Sequence, residues 1–110
     1  YYVAEEDGRI VGYSYSSQFR TRYSYRFTCE STVYLDVDYK GRGLGTQLYK
    51  ILIEERRQRG FHMVIGGVTL PNPASEALHT KLGFKKIAHF SEVGFKFNRW
   101  LDVGFYELKL

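Results

Sequence analysis

Apolar and polar residues alternate along several stretches of the chain, and this period of two is typical of half-buried β-strands. The clearest stretch covers residues 27–37, with Phe27, Cys29 and Val33 on one face and Glu30 on the other. Because neighbouring side chains of a strand point to opposite faces, we expect Glu30 to point away from the core.

Two shorter alternating stretches precede this strand. They predict strands at 1–6 and 10–17, and the Asp7-Gly8 pair between them is typical of a tight hairpin turn. Polar and basic residues at 18–25 predict a loop.

Further along the chain the apolar period changes to that of a helix. Leu44, Leu48, Ile51 and Leu52 follow helical spacing, and Gly60 is a plausible helix end. Residues 62–70 are nearly all apolar, which favours a strand buried on both faces. We therefore expect a right-handed strand–helix–strand unit, in which the two strands are parallel.

The last third of the chain predicts one more helix and two more strands. Asn72-Pro73 is a favoured helix start, Ala77, Leu78 and Leu82 are the candidates for its buried side, and Gly83 is its expected end. Strands are predicted at 85–91 and 100–110, with a connection at 92–99. The resulting order, β-β-β-α-β-α-β-β, predicts an α/β fold with a mixed sheet and helices packed on it.

The most unusual local sequence is Lys-Gly-Arg-Gly-Leu-Gly-Thr at 40–46, between a predicted strand and a predicted helix. Glycines at alternate positions allow positive φ angles, and the first turn of a helix has unpaired amides at its positive end. Together these features suit a phosphate or pyrophosphate. The spacing fits neither the Walker loop nor the dinucleotide-binding fingerprint. The alternative is that these glycines only form a tight turn.

Composition narrows the class of protein. The chain has 110 residues, of which 44% are hydrophobic and 25% charged, as expected for one folded domain. The net charge of +4 points to an anionic partner. Tyrosines and arginines are interleaved near the N-terminus, so a nucleic-acid surface is one alternative. A tyrosine-rich β-strand explains the same pattern.

The sequence gives little indication of metal binding, cysteine chemistry or membrane insertion. The histidines have no ligand spacing and one cysteine cannot form a CxxC pair, so we expect no metal. Cys29 could be a nucleophile with His79 as its base, although a cysteine on an apolar strand face is usually a core residue. No apolar run is long enough to span a membrane and no leader is visible, so we expect a cytoplasmic protein.

Glu30 and His79 are the candidate acid–base pair. Glu30 lies on the polar face of the strand before the glycine loop, and His79 lies on the following helix. The fold could bring them together beside a phosphate-bearing ligand, and ordinary surface roles are the alternative.

The chain resembles the GNAT superfamily of N-acetyltransferases in Val33-Tyr34-Leu35 followed by the glycine loop, where Lys40 departs from the usual Gln or Arg. Three further segments resemble the phosphinothricin and methionine sulfoximine acetyltransferases. These segments are Thr28-Cys29-Glu30-Ser31-Thr32-Val33-Tyr34, then Leu70-Pro71-Asn72-Pro73-Ala74-Ser75 with Leu78-His79 and Leu82-Gly83-Phe84, and finally Gly94-Phe95-Lys96 with Trp100-Leu101-Asp102-Val103-Gly104-Phe105.

The resemblance implies transfer of acetyl from acetyl-CoA to the α-amino group of a small amino-acid-like acceptor, without a metal. It implies Glu30 as the base and His79 as the group that protonates the leaving thiolate. The residues implied in acetyl-CoA binding are Val33, Tyr34, Leu35, Gly41, Arg42, Gly43, Leu44, Gly45, Thr46, Asn72 and Lys81. Those implied in acceptor binding are Tyr25, Phe27, Glu30, Lys96 and Trp100.

Members of this family begin with a strand and two helices that the sequence does not show, so we expect residues 1–110 to be a single GNAT domain truncated at its N-terminus. A non-catalytic acyl-CoA-binding or scaffold domain is the first alternative function, and a basic nucleic-acid binder is the second. No nucleic-acid or membrane partner is expected, and the resemblance leaves a homodimer open.

Overall fold

The computed structural model describes residues 1–20, 23–35 and 43–110, and it confirms the predicted order of strands and helices. The elements are β1 (Tyr2–Glu6), β2 (Arg9–Gln18), β3 (Thr28–Leu35), α1 (Leu44–Gln58), β4 (Met63–Leu70), α2 (Pro73–Lys81), β5 (Lys85–Lys96) and β6 (Arg99–Lys109). A short 3₁₀ turn, Tyr23–Tyr25, lies in the predicted loop between β2 and β3. The predicted α/β fold is therefore correct.

The six strands form one mixed sheet in the order β1-β2-β3-β4-β6-β5. β3 and β4 are parallel, as expected for the two strands around a crossover helix, and the other neighbours are antiparallel. The Asp7-Gly8 hairpin is present, and both residues have the positive φ angles that such a turn requires.

β3 and β4 separate before they end. Their pairing covers Thr28–Ser31 and Met63–Gly66, whereas the strands continue to Leu35 and Leu70. Beyond Ser31 and Gly66, the described residues of the two strands are not paired. We call the gap between residues 32–35 and 67–70 the strand opening. It leaves space for a ligand between the carboxyl ends of two neighbouring parallel strands.

Both helices pack on the same face of the sheet. The buried core combines side chains of β3, β4 and β6 with side chains of α1 and with Phe84, which follows α2. The members of this core are Cys29, Tyr49, Leu52, Ile53, Val64, Val68, Phe84 and Tyr106. On the opposite face, Tyr13 of β2 stacks on Tyr15 and on Tyr34 of β3, with ring centroids 6.1 and 5.3 Å apart. The tyrosines of the basic, aromatic segment thus include strand residues that pack on one another.

Several predictions about burial were wrong. Ile51 is 49% exposed, and Ala77 is also exposed. Phe27 lies just before β3 and is 50% exposed, so it does not share the core face of that strand. Tyr49 is fully buried in its helix, where Ile51 was expected. The helical spacing was right, but the buried stripe of α1 is rotated toward Tyr49 and Ile53.

The prediction of a long connection between the last two strands, at residues 92–99, was also wrong. Residues 92–96 belong to β5, and only Phe97 and Asn98, both with positive φ, form the turn to β6. An irregularity between Phe90 and Gly94 interrupts the alternation that would have marked one continuous strand. The start of α2 was predicted correctly, since Asn72 Oδ1 accepts a hydrogen bond from the Ser75 amide (3.1 Å) and Pro73 is the first helical residue.

Candidate functional site

A cavity of about 460 Å³ lies between the strand opening and the N-terminal ends of the two helices. We call it the helix-end cavity. Its lining contains these residues from the predicted binding set: Val33, Tyr34, Gly43, Gly45, Thr46, Asn72 and Lys81. Leu44 begins α1 and is not among the lining residues. Leu35 ends β3, and Gly41 and Arg42 lie outside the described residues. Most of the predicted set thus meets at one place.

The chemistry of this cavity suits an anion. Gly43 precedes α1 with a φ of 77°, a left-handed conformation that favours glycine, and no acidic side chain lies in the first turn of the helix. The first backbone hydrogen bond of the helix runs from the Gln47 amide to the Gly43 carbonyl, so the amides of residues 44–46 have no partner within the helix. Lys81 adds a positive charge. A phosphate or diphosphate is the ligand that this arrangement fits.

Glu30 lies on the other face of the sheet. It pairs with Ser17 of β2 and Ile65 of β4, and its neighbour Ser31 is the last residue of β3 that pairs with β4. Its side chain is half-buried and forms no hydrogen bond or ion pair with a described residue. Because Cys29 points into the core, Glu30 points away from it, as predicted. Glu30 therefore lies on the face opposite the helices, one residue before the last pair between β3 and β4.

His79 is buried behind the strand opening. Its side chain is 3% exposed, and its ring packs against the rings of Phe84 and Tyr106, with centroids 5.0 and 5.2 Å away. Nδ1 lies 2.7 Å from the Ser75 carbonyl oxygen, and Nε2 lies 3.0 Å from the Tyr49 hydroxyl. Burial lowers the pKa of His79, and the hydrogen bond to Ser75 opposes this only in part. The imidazole is therefore neutral.

These contacts fix the tautomer of His79. A carbonyl can only accept, so Nδ1–H donates to Ser75 and Nε2 accepts from the Tyr49 hydroxyl. The Tyr49 hydroxyl also forms a close hydrogen bond with the Ser31 hydroxyl. Burial raises the pKa of Tyr49 above its usual value, so this phenol is protonated. Neither His79 nor Tyr49 lines the helix-end cavity, and Nε2 of His79 carries no proton to donate.

Tyr49 is the residue that sequence reasoning missed. It lies four residues before Ile53 on the buried face of α1, so helical spacing could have indicated its burial. Its contacts with Ser31 and His79 join three elements, and no local pattern predicts them. A Cβ on Gly66 would lie 2.7 Å from His79 Nε2 and 3.0 Å from the Tyr49 hydroxyl. Two side chains therefore approach Gly66 so closely that only a glycine fits there.

The residues predicted to bind an acceptor are not gathered at one place. Tyr25 lines a second cavity of about 530 Å³ together with Arg20, Arg26 and Arg56, at the end of the sheet where β3 begins. Phe27 is exposed and stacks against Arg26. Lys96 and Trp100 lie beside the β5–β6 turn and line neither cavity. Among these residues, the structure places only Glu30 beside the strand opening.

The other candidate chemistries find little support in the described residues. Cys29 is 1% exposed in the core, and burial raises the pKa of its thiol, so an activated nucleophile is not favoured. No group of three His, Cys, Asp or Glu side chains that could hold a metal occurs in the described ranges. No helix in the described part of the chain is long and apolar enough to cross a membrane.

A glycine-rich helix start beside two separating parallel strands defines an α/β domain with a cavity at the end of its sheet that suits a phosphate-bearing ligand. Comparison with known sequences identifies the family. Residues 1–84 match the acetyltransferase (GNAT) family, and the chain belongs to this family.

Similar proteins include an L-amino acid N-acyltransferase of Escherichia coli, 42% identical over 98% of this chain and 63% of the relative. A phosphinothricin N-acetyltransferase of Streptomyces coelicolor is 38% identical over 96% of this chain and 61% of the relative. The chain thus spans about three fifths of the length of these curated relatives. A solved phosphinothricin acetyltransferase of Sinorhizobium meliloti, in complex with acetyl-CoA, has a TM-score of 0.92 and 38% identity, over 98% of this chain and 59% of that structure.

Proposed function

We propose that this chain transfers acetyl from acetyl-CoA to the α-amino group of a small amino-acid-like acceptor, such as phosphinothricin or methionine sulfoximine. The observation that carries the proposal is the position of the helix-end cavity and Glu30 on either side of one strand opening. A carrier bound on one side and an amine held on the other would meet in that opening.

The helix-end cavity suits acetyl-CoA, which carries the acetyl group. We propose that backbone amides from Gly43 to Thr46 bind the pyrophosphate and that Lys81 neutralises a phosphate. The family resemblance assigns Gly41 and Arg42 to the same role. Asn72 lies at the cavity wall, where it can hydrogen-bond the pantetheine amides. The unpaired edge of β3 from Val33 to Leu35 offers further backbone groups to the same chain of amides.

Bound acetyl-CoA supplies an acetyl thioester, and the chain supplies the proton transfers. Glu30, directly or through a water molecule, accepts a proton from the acceptor ammonium, so that the free amine can attack the thioester carbonyl. Backbone amides near Leu35 stabilise the negative charge that develops on the carbonyl oxygen. When the carbon–sulfur bond breaks, the leaving thiolate needs one proton.

The Tyr49 hydroxyl is the better candidate for donating that proton. It carries a proton that His79 lacks at Nε2, and it is hydrogen-bonded to Ser31, where β3 leaves β4. We infer that His79 acts through Tyr49, by orienting the hydroxyl and holding it in place. The role predicted for His79 is thereby changed from proton donor to positioning residue.

An acetyl-transfer assay with the 110-residue chain tests the proposal. Phosphinothricin, methionine sulfoximine, methionine sulfone and ordinary amino acids would be supplied with acetyl-CoA, and free thiol would be measured. Release of thiol that depends on both substrates is expected. Tight binding of CoA without transfer to any acceptor would instead favour the non-catalytic carrier-binding alternative.

Gly43→Val is expected to weaken CoA binding more than it weakens folding. A Cβ at this helix start obstructs the approach of pyrophosphate to the amides. A valine in this left-handed conformation should also lower the free energy of unfolding by about 1–2 kcal/mol. Affinity would be measured by isothermal titration.

Gly8→Val is the matched control. Gly8 has a φ of 76° against 77° at Gly43, and at neither position does a new Cβ meet another atom within 4 Å. Both variants therefore carry similar backbone strain, but Gly8 lies in the β1–β2 turn. Equal CoA affinity for the two folded variants would refute the assignment of the glycine loop.

A further inference from the structure

β5 contains a bulge. Phe90 pairs with Val103 and Gly94 with Leu101, so four residues along β5 match only two along β6. Glu92 lies in this bulge with a φ of 54°, a left-handed conformation that is uncommon for any residue other than glycine. Such a conformation persists only where its surroundings hold it, and bulges often direct side chains near active sites.

The Asp102 carboxylate stabilises the bulge through two hydrogen bonds. Its Oδ1 accepts a hydrogen bond from the Glu92 amide, and its Oδ2 lies 2.8 Å from His89 Nε2. The carboxylate therefore links the strand before the bulge to the residue within it. The hydrogen bond from His89, followed by that from the Glu92 amide, lowers the pKa of Asp102, so it is ionised at neutral pH.

Phe90 is the last residue of β5 that pairs with β6 before this bulge. Phe90 packs edge-on against Phe105 of β6, with ring centroids 5.5 Å apart and planes at 72°. The Phe105 ring lies over Gly67, since a Cβ on that glycine would be 3.4 Å from Phe105 Cε1. Gly67 is the first residue of β4 beyond its pairing with β3. Phe105 therefore borders the strand opening, and Phe90 of the next strand packs against it; we call these two rings the aromatic wall.

The aromatic wall shares the face of Glu30. Tyr106 and Gly66 face the core, so their neighbours Phe105 and Gly67 face the opposite side, as Glu30 does. Phe90 remains 50% exposed among the described residues, so its ring offers apolar surface. An acceptor with its amine at Glu30 could place its side chain against these rings.

We propose that Asp102 is a positioning residue that sets the aromatic wall, and that the wall selects acceptors with an apolar or thioether side chain. This inference rests on the proposed function. The rings remove apolar side-chain surface from water, and a thioether sulfur gains a further contact with aromatic edges. A small side chain such as that of alanine does not reach the rings, so its transfer does not depend on them.

The test compares L-methionine with L-alanine as acceptors for the wild type and for Asp102→Ala. Release of Phe90 should lower kcat/KM for methionine about tenfold, mainly through KM, which is the usual scale for an apolar subsite. The value for alanine should stay within about twofold. Asp102→Asn retains an acceptor for the Glu92 amide and should recover most of the preference.

Two further variants distinguish a loss of acceptor preference from a general folding defect. Phe90→Ala removes one ring without touching Asp102 and should cause the same selective loss. Phe97→Ala removes another aromatic ring from the same hairpin, at a turn position that is 82% exposed, and should leave the preference unchanged. Equal losses for methionine and alanine in both Asp102→Ala and Phe90→Ala would overturn the proposal.

Failure of the proposed function would be seen separately, as absence of transfer by the wild type with every acceptor. In that event, the preference would be measured as acceptor binding by calorimetry in the presence of CoA. Tighter binding of methionine than alanine, lost in Phe90→Ala, would support the aromatic wall without catalysis. Equal or undetectable binding of the two amino acids would overturn it.

Discussion

Glu30→Gln is expected to lower kcat/KM for the acceptor by about 10² to 10⁴, the range typical of a lost general base. Glutamine keeps the shape of the side chain but removes the negative charge and the basic oxygen. An acceptor ammonium then loses both its partner and the group that accepts its proton. The titrated affinity for CoA should be unchanged, because Glu30 does not line the helix-end cavity.

The dependence of kcat/KM on pH distinguishes a general-base role of Glu30 from a structural role. Activity of Glu30→Gln should recover in part as rising pH deprotonates the acceptor without help. Glu107→Gln is the control, because Glu107 pairs with Ile65, as Glu30 does, and is also half-buried on that face. A long-range charge effect would appear in both variants. A Glu30→Gln enzyme with the kcat/KM and pH profile of the wild type would remove Glu30 from the mechanism.

The spacing of apolar residues was sufficient to predict the order of strands and helices. Each element buries one face, so apolar residues recur with the period of a strand or of a helix. The glycine loop was recognisable for a similar reason. A helix start that must approach an anion excludes large side chains, and alternate glycines meet that need. Val33, Asn72 and Lys81, by contrast, were assigned through resemblance, and the structure brings them to one cavity.

The contacts between elements could not be predicted in the same way. Tyr49 and Ile51 are both compatible with the helical pattern, and only the position of α1 on the sheet decides which is buried. The bulge in β5 breaks the period of two, so its residues were assigned to a connection. Asp102 holds that bulge from another strand, and no spacing along the chain indicates such a contact.

Tyr49→Phe is expected to lower kcat by about 10² or more, the lower end of the range for a lost general acid. The variant removes the proton that we assign to the leaving thiolate and leaves CoA affinity nearly intact. His79→Phe should have a similar effect, because His79 acts through the same hydroxyl. In the double variant the two losses should not add, as expected for residues that act as one unit.

Tyr106→Phe is the control variant. It shows whether a loss of kcat in Tyr49→Phe comes from the missing proton donor or from lower stability of the fold. Tyr106 is 3% exposed, donates a hydrogen bond from its hydroxyl to Glu76 (2.7 Å) and packs against the same histidine as Tyr49 does. Loss of the Tyr49 hydroxyl leaves the buried Ser31 and His79 side chains without this partner and should cost about 1–3 kcal/mol in the free energy of unfolding, measured with urea. Tyr106→Phe should cost less, because Glu76 is partly open to solvent and keeps its ion pair with Lys86. Only Tyr49→Phe should lose kcat. A loss of less than about threefold in that variant lies far below the range for a general acid and would mean that the thiolate takes its proton from another group.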